Sequence, residues 1–215
     1  MTFGDSVTMA YYQKHADTVF KRYQQVEGGI ANFFSSALLP GSRVLDIGAG
    51  SGRDVEQLLG LGFDAYGIEP VAELRALAMG ETPALVNRMF AGYLPDGLRD
   101  ALPQALQAPG SFDAIVCSAV LMHLPEEQLP RAMQAMADCL TEDGRMLLSI
   151  PASRQDVGDD YRDPNGRLFS PVTPDQLNTI AESLGFWCVD EHVTKDAQGR
   201  EGTRWHTLLF VRDSA

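Results

Sequence analysis

Short apolar runs alternate with helical patterns along the middle of the chain. Residues 43–48 form an apolar run that ends in a Gly-rich turn, and Val55, Leu58 and Leu59 then recur at helical spacing. The same alternation predicts a strand over 64–69, a helix over 71–79, a strand over 85–90 and a helix within 97–107. This βαβ rhythm predicts a parallel sheet with helices on both faces.

Two almost continuously apolar runs, 112–119 and 145–150, predict the centre of that sheet. The helix predicted between them opens at Pro125 and ends at Asp143-Gly144. A helix opens after Thr173, and strand-like runs over 186–194 and 205–212 then predict an antiparallel hairpin. The predicted fold class is therefore α/β, a doubly wound and mostly parallel seven-stranded sheet with an antiparallel terminal hairpin.

The segments outside this rhythm predict how the domain is organised. Helical periodicity over 9–24 and 30–39 predicts a helical cap, 1–40, which covers the carboxyl edge of the sheet. Residues 152–172 form a polar insert, and so long a loop within a domain is usually functional or disordered. We expect a single domain over 1–215, with a binding core at 41–151 and a closing helix and hairpin at 173–215.

Charge and cysteine pattern bear on partners and location. The 215 residues carry 17 Lys and Arg against 29 Asp and Glu, a net charge of −12, which argues against nucleic-acid binding. Three cysteines without a CxxC pair favour the reducing cytoplasm. The sequence shows neither a signal peptide nor an apolar run near the ~18 residues of a membrane span. No histidine spacing suggests a metal, and we expect a monomer or homodimer.

The turn after the first strand carries the sharpest chemical signal. Asp46-Ile-Gly48-Ala-Gly50-Ser-Gly52 follows that strand directly, and Glu69 ends the next one. Glycine lets the backbone approach a ligand, and an acid at the second strand end can accept both ribose hydroxyls, so a nucleoside cofactor is indicated. Tight strand-to-helix turns also need glycine for structural reasons. Arg53 stands where a dinucleotide fingerprint has its third glycine, which disfavours a pyrophosphate.

At these residues the chain resembles the class I S-adenosylmethionine-dependent methyltransferases. The resemblance spans about residues 11–151 and rests on Val44-Leu-Asp-Ile-Gly-Ala-Gly-Ser-Gly52, Gly67-Ile-Glu-Pro70 and Phe112-Asp-Ala-Ile-Val-Cys-Ser-Ala-Val-Leu-Met-His-Leu-Pro125. It implies a Rossmann-like methyltransferase fold and an enzyme that transfers a methyl group from S-adenosylmethionine by in-line displacement. S-Adenosylhomocysteine would be the product.

The resemblance also implies which residues bind the cofactor. They are Tyr12, Arg22, Asp46, Gly48, Ala49, Gly50, Gly52, Glu69, Pro70, Tyr93, Ser118 and Val120. The glycine turn would approach the methionine part, Glu69 the ribose hydroxyls and Pro70 the adenine. Family members often carry an acid after the third strand; here Tyr93 or a backbone amide would replace it. Tyr12 and Arg22 would cover the cofactor and pair its carboxylate.

Two side chains, those of His123 and Tyr12, have both a functional and a structural interpretation. His123 follows a central strand at the edge where doubly wound sheets bind ligands, so it is a candidate general base. A histidine there can equally be structural and bond a neighbouring carbonyl. Tyr12 can likewise be a core aromatic of the leading helix.

A small molecule is the expected methyl acceptor. Residues 118–123 lack the Pro-Pro-aromatic signature of family members that methylate nucleobases or glutamine amides. The candidate acceptor-pocket residues are 161–167, Arg154, Arg200, Arg204 and Trp205. Arg154, Arg167 and Arg204 suggest an anionic acceptor group, although salt bridges to nearby acids such as Asp163 are an alternative. The competing functions are an NAD(P)-dependent oxidoreductase and a non-catalytic S-adenosylmethionine-binding protein.

Overall fold

The structure, a computed structural model, describes residues 5–212, and a seven-stranded sheet in the order β3-β2-β1-β4-β5-β7-β6 runs through it. The strands are β1 (Arg43–Ile47), β2 (Asp64–Ile68), β3 (Met89–Phe90), β4 (Phe112–Ser118), β5 (Leu140–Ser153), β6 (Phe186–Lys195) and β7 (Arg204–Arg212). The helices are α1 (Ser6–Lys14), α2 (Ala16–Gln24), α3 (Phe34–Ala37), α4 (Arg53–Gly60), α5 (Ala72–Glu81), α6 (Leu129–Cys139) and α7 (Pro174–Ser183).

The pairing of the strands places the ends of β1, β2 and β4 side by side. β1 pairs in parallel with β2 and β4, so Asp46 lies opposite both Gly67 and Val116. β7 lies antiparallel between β5 and β6, as a terminal hairpin requires. The predicted fold class is confirmed, and the turns that follow β1, β2 and β4 meet at one edge of the sheet.

Helices cover both faces because each contributes one apolar stripe. Leu129, Met133 and Met136 of α6 pack with Leu177 of α7 on one face. On the other face, the packed side chains are Val19, Phe20, Phe34, Val55, Leu58, Leu74 and Ala78 of α2 to α5. β4 is buried at Phe112 and from Ala114 to Cys117, as expected for a central strand.

The cap departs from the predicted helices over 9–24 and 30–39. The first divides at His15, whose backbone is not helical, into α1 and α2. This break suits the different contacts of the two helices, because α1 hydrogen-bonds to the insert through Thr8, whereas α2 packs Val19 into the core. The second becomes a 3-10 turn, Gly29–Phe33, followed by the single-turn helix α3.

Several predicted boundaries were also wrong. The strand predicted over 85–90 shortens to β3, because a 3-10 turn ends at Leu85 and Asn87 has a φ of 65°. The stretch 97–107 holds only the 3-10 turn Gln104–Leu106, whose buried Leu106 anchors it without a helix. The helix predicted to run from Pro125 to Asp143 spans only α6, since β5 already begins at Leu140.

The polar insert mostly lacks regular structure in its described residues. β5 extends into it as far as Ser153, and one isolated bridge joins Arg162 to Leu168. The insert thus contributes side chains and backbone groups rather than a separate layer.

No helix among residues 5–212 combines the length and apolarity needed to cross a bilayer.

Candidate functional site

The glycine turn between β1 and α4 is shaped by two close neighbours. Gly48 and Gly50 have φ values of 73° and 54°, a region that side chains disfavour. A Cβ atom on Gly48 would lie 2.3 Å from Cγ2 of Val120, and one on Gly50 would lie 3.2 Å from Tyr23. The turn therefore exposes backbone where a side chain would close the space.

Gly52 differs from the other two glycines of the turn. It is the N-cap residue of α4 with a φ of 74°, and a Cβ atom there would lie 2.4 Å from Cδ1 of Leu85. It does not line the cavity described below. Its position shows that the turn packs against Leu85, so Gly52 is also needed for structural reasons, and its contact with a cofactor stays a prediction.

Glu69 joins the second strand end to this turn. Its carboxylate is buried and accepts hydrogen bonds from the backbone N–H of Gly50 at 2.9 Å and of Val71 at 2.8 Å. Burial raises the pKa of Glu69 to about 7, although both hydrogen bonds and the charge of Arg75 oppose that shift. Burial, with the like charge of Asp54, also raises the pKa of Asp46. Two carboxyl groups thus lie in a site of low polarity.

A cavity of about 250 Å³ opens at this edge of the sheet. Eleven predicted cofactor-binding residues line it: Tyr12, Arg22, Asp46, Gly48, Ala49, Gly50, Glu69, Pro70, Tyr93, Ser118 and Val120. His123 of the 3-10 turn Leu121–His123 also lines it, as do Arg154, Arg167, Arg200 and Trp205. Of the predicted acceptor-pocket residues 161–167, only Arg167 is among the lining residues. Arg204, also predicted there, is exposed on β7 and is not among them.

His123 is held between the cap and the insert. Its Nδ1 lies 2.6 Å from the carbonyl oxygen of Leu168, and its Nε2 lies 3.1 Å from the Tyr12 hydroxyl. Because a carbonyl only accepts, Nδ1 carries the proton, and neutral Nε2 accepts from Tyr12. Burial lowers the pKa of His123 to about 4, so the imidazole is neutral at pH 7. The carbonyl bond matches the structural interpretation of His123. Its role as a general base stays a prediction, which its place on the cavity wall permits.

Arg167 connects Tyr12 to a buried ion pair. Its guanidinium donates to the Tyr12 hydroxyl at 3.2 Å and to Asp163 at 2.9 and 2.6 Å. The side chains of Arg167 and Asp163 are only 8% and 1% exposed. Arg154 pairs with Asp156 and stacks 3.8 Å from the ring centroid of Phe169. The salt-bridge interpretation of Arg154 and Arg167 is therefore confirmed, and Arg167 also holds Tyr12.

Arg22 contrasts with these paired arginines. It lines the cavity with its guanidinium 5.3 Å from the ring centroid of Tyr23, and its buried Nε has no hydrogen-bond partner within residues 5–212. A buried donor without a partner is costly, so this atom points to an anionic or polar group on a ligand.

Two contributors to the cavity, Tyr23 and Asp196, were not predicted from the sequence. Tyr23 lies in α2 and packs against Gly50. Ala119, between the predicted cofactor-binding residues Ser118 and Val120, has a φ of 58°, a strained conformation for which the sequence gives no signal. Asp196 pairs with Arg200 and accepts from the Trp205 indole, which fixes the hairpin beside the cavity. Within residues 5–212 no group of three His, Cys, Asp or Glu side chains could hold a metal.

A family model described as a methyltransferase domain matches residues 18–191, most of the chain. The chain belongs to this methyltransferase domain family, which uses S-adenosylmethionine. The predicted family, enzyme class and cofactor are thereby confirmed.

Individual relatives differ in what they modify. The chain is 35% identical to the ubiquinone biosynthesis O-methyltransferase of Xanthomonas campestris over 112 residues, which are 52% of this chain and 44% of that protein. It is 32% identical over 189 residues to the tRNA U34 carboxymethyltransferase of Azotobacter vinelandii, with 81% and 55% covered. The chain thus spans about half the length of the curated relatives it matches.

A solved structure resembles the whole described fold. The 1,6-didemethyltoxoflavin-N1-methyltransferase of Burkholderia thailandensis, with bound 1,6-didemethyltoxoflavin and S-adenosylhomocysteine, has a TM-score of 0.75 at 18% identity. The match covers 96% of this chain and 88% of that one. The predicted Rossmann-like methyltransferase fold is confirmed by this likeness.

Proposed function

We propose that this protein transfers a methyl group from S-adenosylmethionine to a small-molecule acceptor. The observation that carries the proposal is one continuous cavity lined both by the Gly48–Gly50 turn with Glu69 and by the cluster of Tyr12, His123 and Arg167. The first set has the chemistry to hold a nucleoside, and the second has the chemistry to hold a polar acceptor. Methyl transfer needs both ligands in contact.

The residues at the turn fit the cofactor. Each Glu69 oxygen already accepts one backbone N–H and has a further lone pair for a ribose hydroxyl. The unpartnered Nε of Arg22 suits the cofactor's carboxylate, and the open backbone at Gly48 suits its methionine part. Pro70 and Tyr93 would border the adenine, and Ser118 and Val120 would border both the cofactor and the acceptor. When bound, the cofactor supplies a methyl group on a sulfonium, already joined to its leaving group.

The protein's contribution is mainly alignment. Holding two reactants in place is worth up to about 7 to 11 kcal/mol, whereas a general base supplies about 10²- to 10⁴-fold in rate. The half-buried position of His123 and the buried Arg167–Asp163 pair indicate a rigid acceptor end. A strong base is therefore not required for turnover.

Charge and thiol state support a small acceptor and a cytoplasmic location. A net charge of −12 provides little attraction for a polyanion such as tRNA. Cys117 and Cys139 are buried free thiols and Cys188 is a half-buried one, which suits a reducing compartment.

Turnover of the cofactor tests the proposal. The purified protein is incubated with S-adenosylmethionine and a cell extract divided into metabolites and RNA, and S-adenosylhomocysteine is measured by mass spectrometry. We expect product with the metabolite fraction, and a mass increase of one methyl group on one of its components. Product only with RNA would contradict the small acceptor, and binding without product in either fraction would indicate a non-catalytic protein.

A further inference from the structure

The acceptor end of the cavity contains a directional chain of hydrogen bonds. Arg167 Nη1 donates to the Tyr12 oxygen at 3.2 Å, the Tyr12 hydroxyl donates to His123 Nε2 at 3.1 Å, and His123 Nδ1 donates to the Leu168 carbonyl at 2.6 Å. Because residues 167 and 168 are adjacent, both ends of the chain are fixed to one stretch of the insert. Tyr12, beside Tyr23, is the member whose oxygen both donates and accepts.

We propose that Tyr12 and His123 form a proton-accepting pair for a hydroxyl acceptor, so that the methyl group goes to oxygen and not to an aliphatic amine. This inference rests on the proposed function and names the class of its substrate. The chain orients the lone pair of Nε2 toward Tyr12, and a phenol oxygen accepts up to two hydrogen bonds, of which Arg167 supplies one. Tyr23, which also lines the cavity, is a further hydrogen-bonding side chain at Tyr12, so a bound acceptor hydroxyl would take its place there. An acceptor hydroxyl in the cavity can therefore donate to Tyr12.

The charges around this pair disfavour a cationic substrate. The charges of Arg167 and Arg154 lower the pKa of His123, and the charge of Asp163 opposes them. Asp163 is already paired with Arg167. An alkylammonium group would therefore meet two cations at the acceptor end, where Asp156, Asp163 and Asp5 are already paired with arginines.

Aromatic faces are the other usual partners of an ammonium group, and arginines already lie beside three of those that line the cavity. Arg154 lies 3.8 Å from the ring centroid of Phe169, and Arg167 lies 5.6 Å from that of Tyr12. On the hairpin side of the cavity, Arg200 lies 5.9 Å from the centroid of Trp205. A neutral or anionic hydroxyl compound matches these surroundings better than an amine does.

The proton balance agrees with an oxygen acceptor. As the acceptor oxygen forms its bond to the methyl carbon, the C–S bond breaks and sulfur keeps the electron pair. The hydroxyl proton passes to the Tyr12 oxygen, the Tyr12 proton passes to His123 Nε2, and the imidazolium later releases its proton to water. Although the pKa of His123 is only about 4, an oxygen that gains a methyl group is a strong acid and gives up its proton. An alkylammonium product, with a pKa near the 10.4 of lysine, does not.

The experiment compares two aromatic probes of similar size in protein loaded with S-adenosylhomocysteine. Calorimetry measures the dissociation constants of 4-methylphenol and of benzylamine for the wild type and for the Tyr12→Phe and Tyr11→Phe variants. Tyr11 is adjacent in sequence but does not line the cavity, so its variant is the matched control. We expect the phenol to bind at least tenfold tighter than the amine, and Tyr12→Phe alone to abolish that preference. Tighter binding of the amine, or equal behaviour of the two variants, would overturn the inference.

Histidine NMR decides the case in which neither probe binds. We expect the His123 resonances, assigned with His123→Gln, to show a proton on Nδ1 and none on Nε2. We expect the Nε2 shift to change in Tyr12→Phe but not in Tyr11→Phe. A proton on Nε2 would overturn the inference. S-Adenosylhomocysteine binding in the same samples reports separately on the proposed function, so failure of the two is distinguishable.

Discussion

Replacing Glu69 with glutamine removes a carboxyl group whose ionisation is opposed by burial. In the folded protein the pKa of Glu69 is raised from 4.5 to about 7, a difference of about 2.5 pH units, and each pH unit corresponds to about 1.36 kcal/mol. The folded state therefore binds more protons than the unfolded state between pH 4.5 and 7. Stability from this group is fully present below pH 4.5 and is lost as pH rises through 7, a loss of about 3 kcal/mol.

Denaturant unfolding of the ligand-free protein at pH 5, 6, 7 and 8 measures this loss. The free energy of unfolding is compared between the wild type, Glu69→Gln and the control Glu73→Gln, whose glutamate is exposed in the first turn of α5. Glutamine leaves one of the two backbone N–H donors without its acceptor, but that cost is independent of pH. We expect the stability of the wild type relative to Glu69→Gln to fall by about 2 to 3 kcal/mol from pH 5 to 8. If the free energies of unfolding of the wild type and Glu69→Gln depend on pH in the same way, the reasoning is refuted.

Two further substitutions test the turn and the ion pair. Gly48→Ala forces a Cβ atom to 2.3 Å from Val120, so we expect thermal unfolding to show a loss of about 1 to 3 kcal/mol, whereas Gly60→Ala has open space and no loss. Equal melting temperatures of Gly48→Ala and the wild type would contradict this expectation. Arg167→Met leaves Asp163 unpaired, and we expect chemical denaturation to show a loss of about 3 to 5 kcal/mol that Asp163→Asn largely restores. If the stability losses of Arg167→Met and Asp163→Asn simply add in the double variant, the two side chains do not stabilise each other and the reasoning fails.

Local patterns predicted the sheet because its strands carry their own signals. The apolar run of β4 is buried on both faces, and the capping box of Thr173 with Gln176 places the start of α7 where the sequence predicted it. The cap was harder, because the break at His15 depends on contacts between α1 and the distant insert. The predicted length of β3 was too great, because the chain before it forms a 3-10 turn instead of extended structure.

The candidate site shows the same division. Gly48 and Glu69 were predictable, since a glycine turn and an acid at successive strand ends lie next to each other in any parallel sheet of this order. The partners of Tyr12 were not, because its hydrogen bonds to His123 and Arg167 join residues 111 and 155 positions apart in sequence. Such contacts follow from tertiary packing and leave no periodic signal in the chain.

Calorimetric titration with S-adenosylmethionine tests the central claim most directly. The wild type, Glu69→Ala and the control Glu73→Ala are titrated under identical conditions, with NADH as the competing nucleotide. Because a charge-assisted hydrogen bond is worth about 1.5 to 3 kcal/mol, we predict one site that weakens more than about tenfold in Glu69→Ala and keeps its affinity in Glu73→Ala, with no heat from NADH. Binding of NADH alone, or S-adenosylmethionine affinity indifferent to Glu69→Ala, would contradict the account.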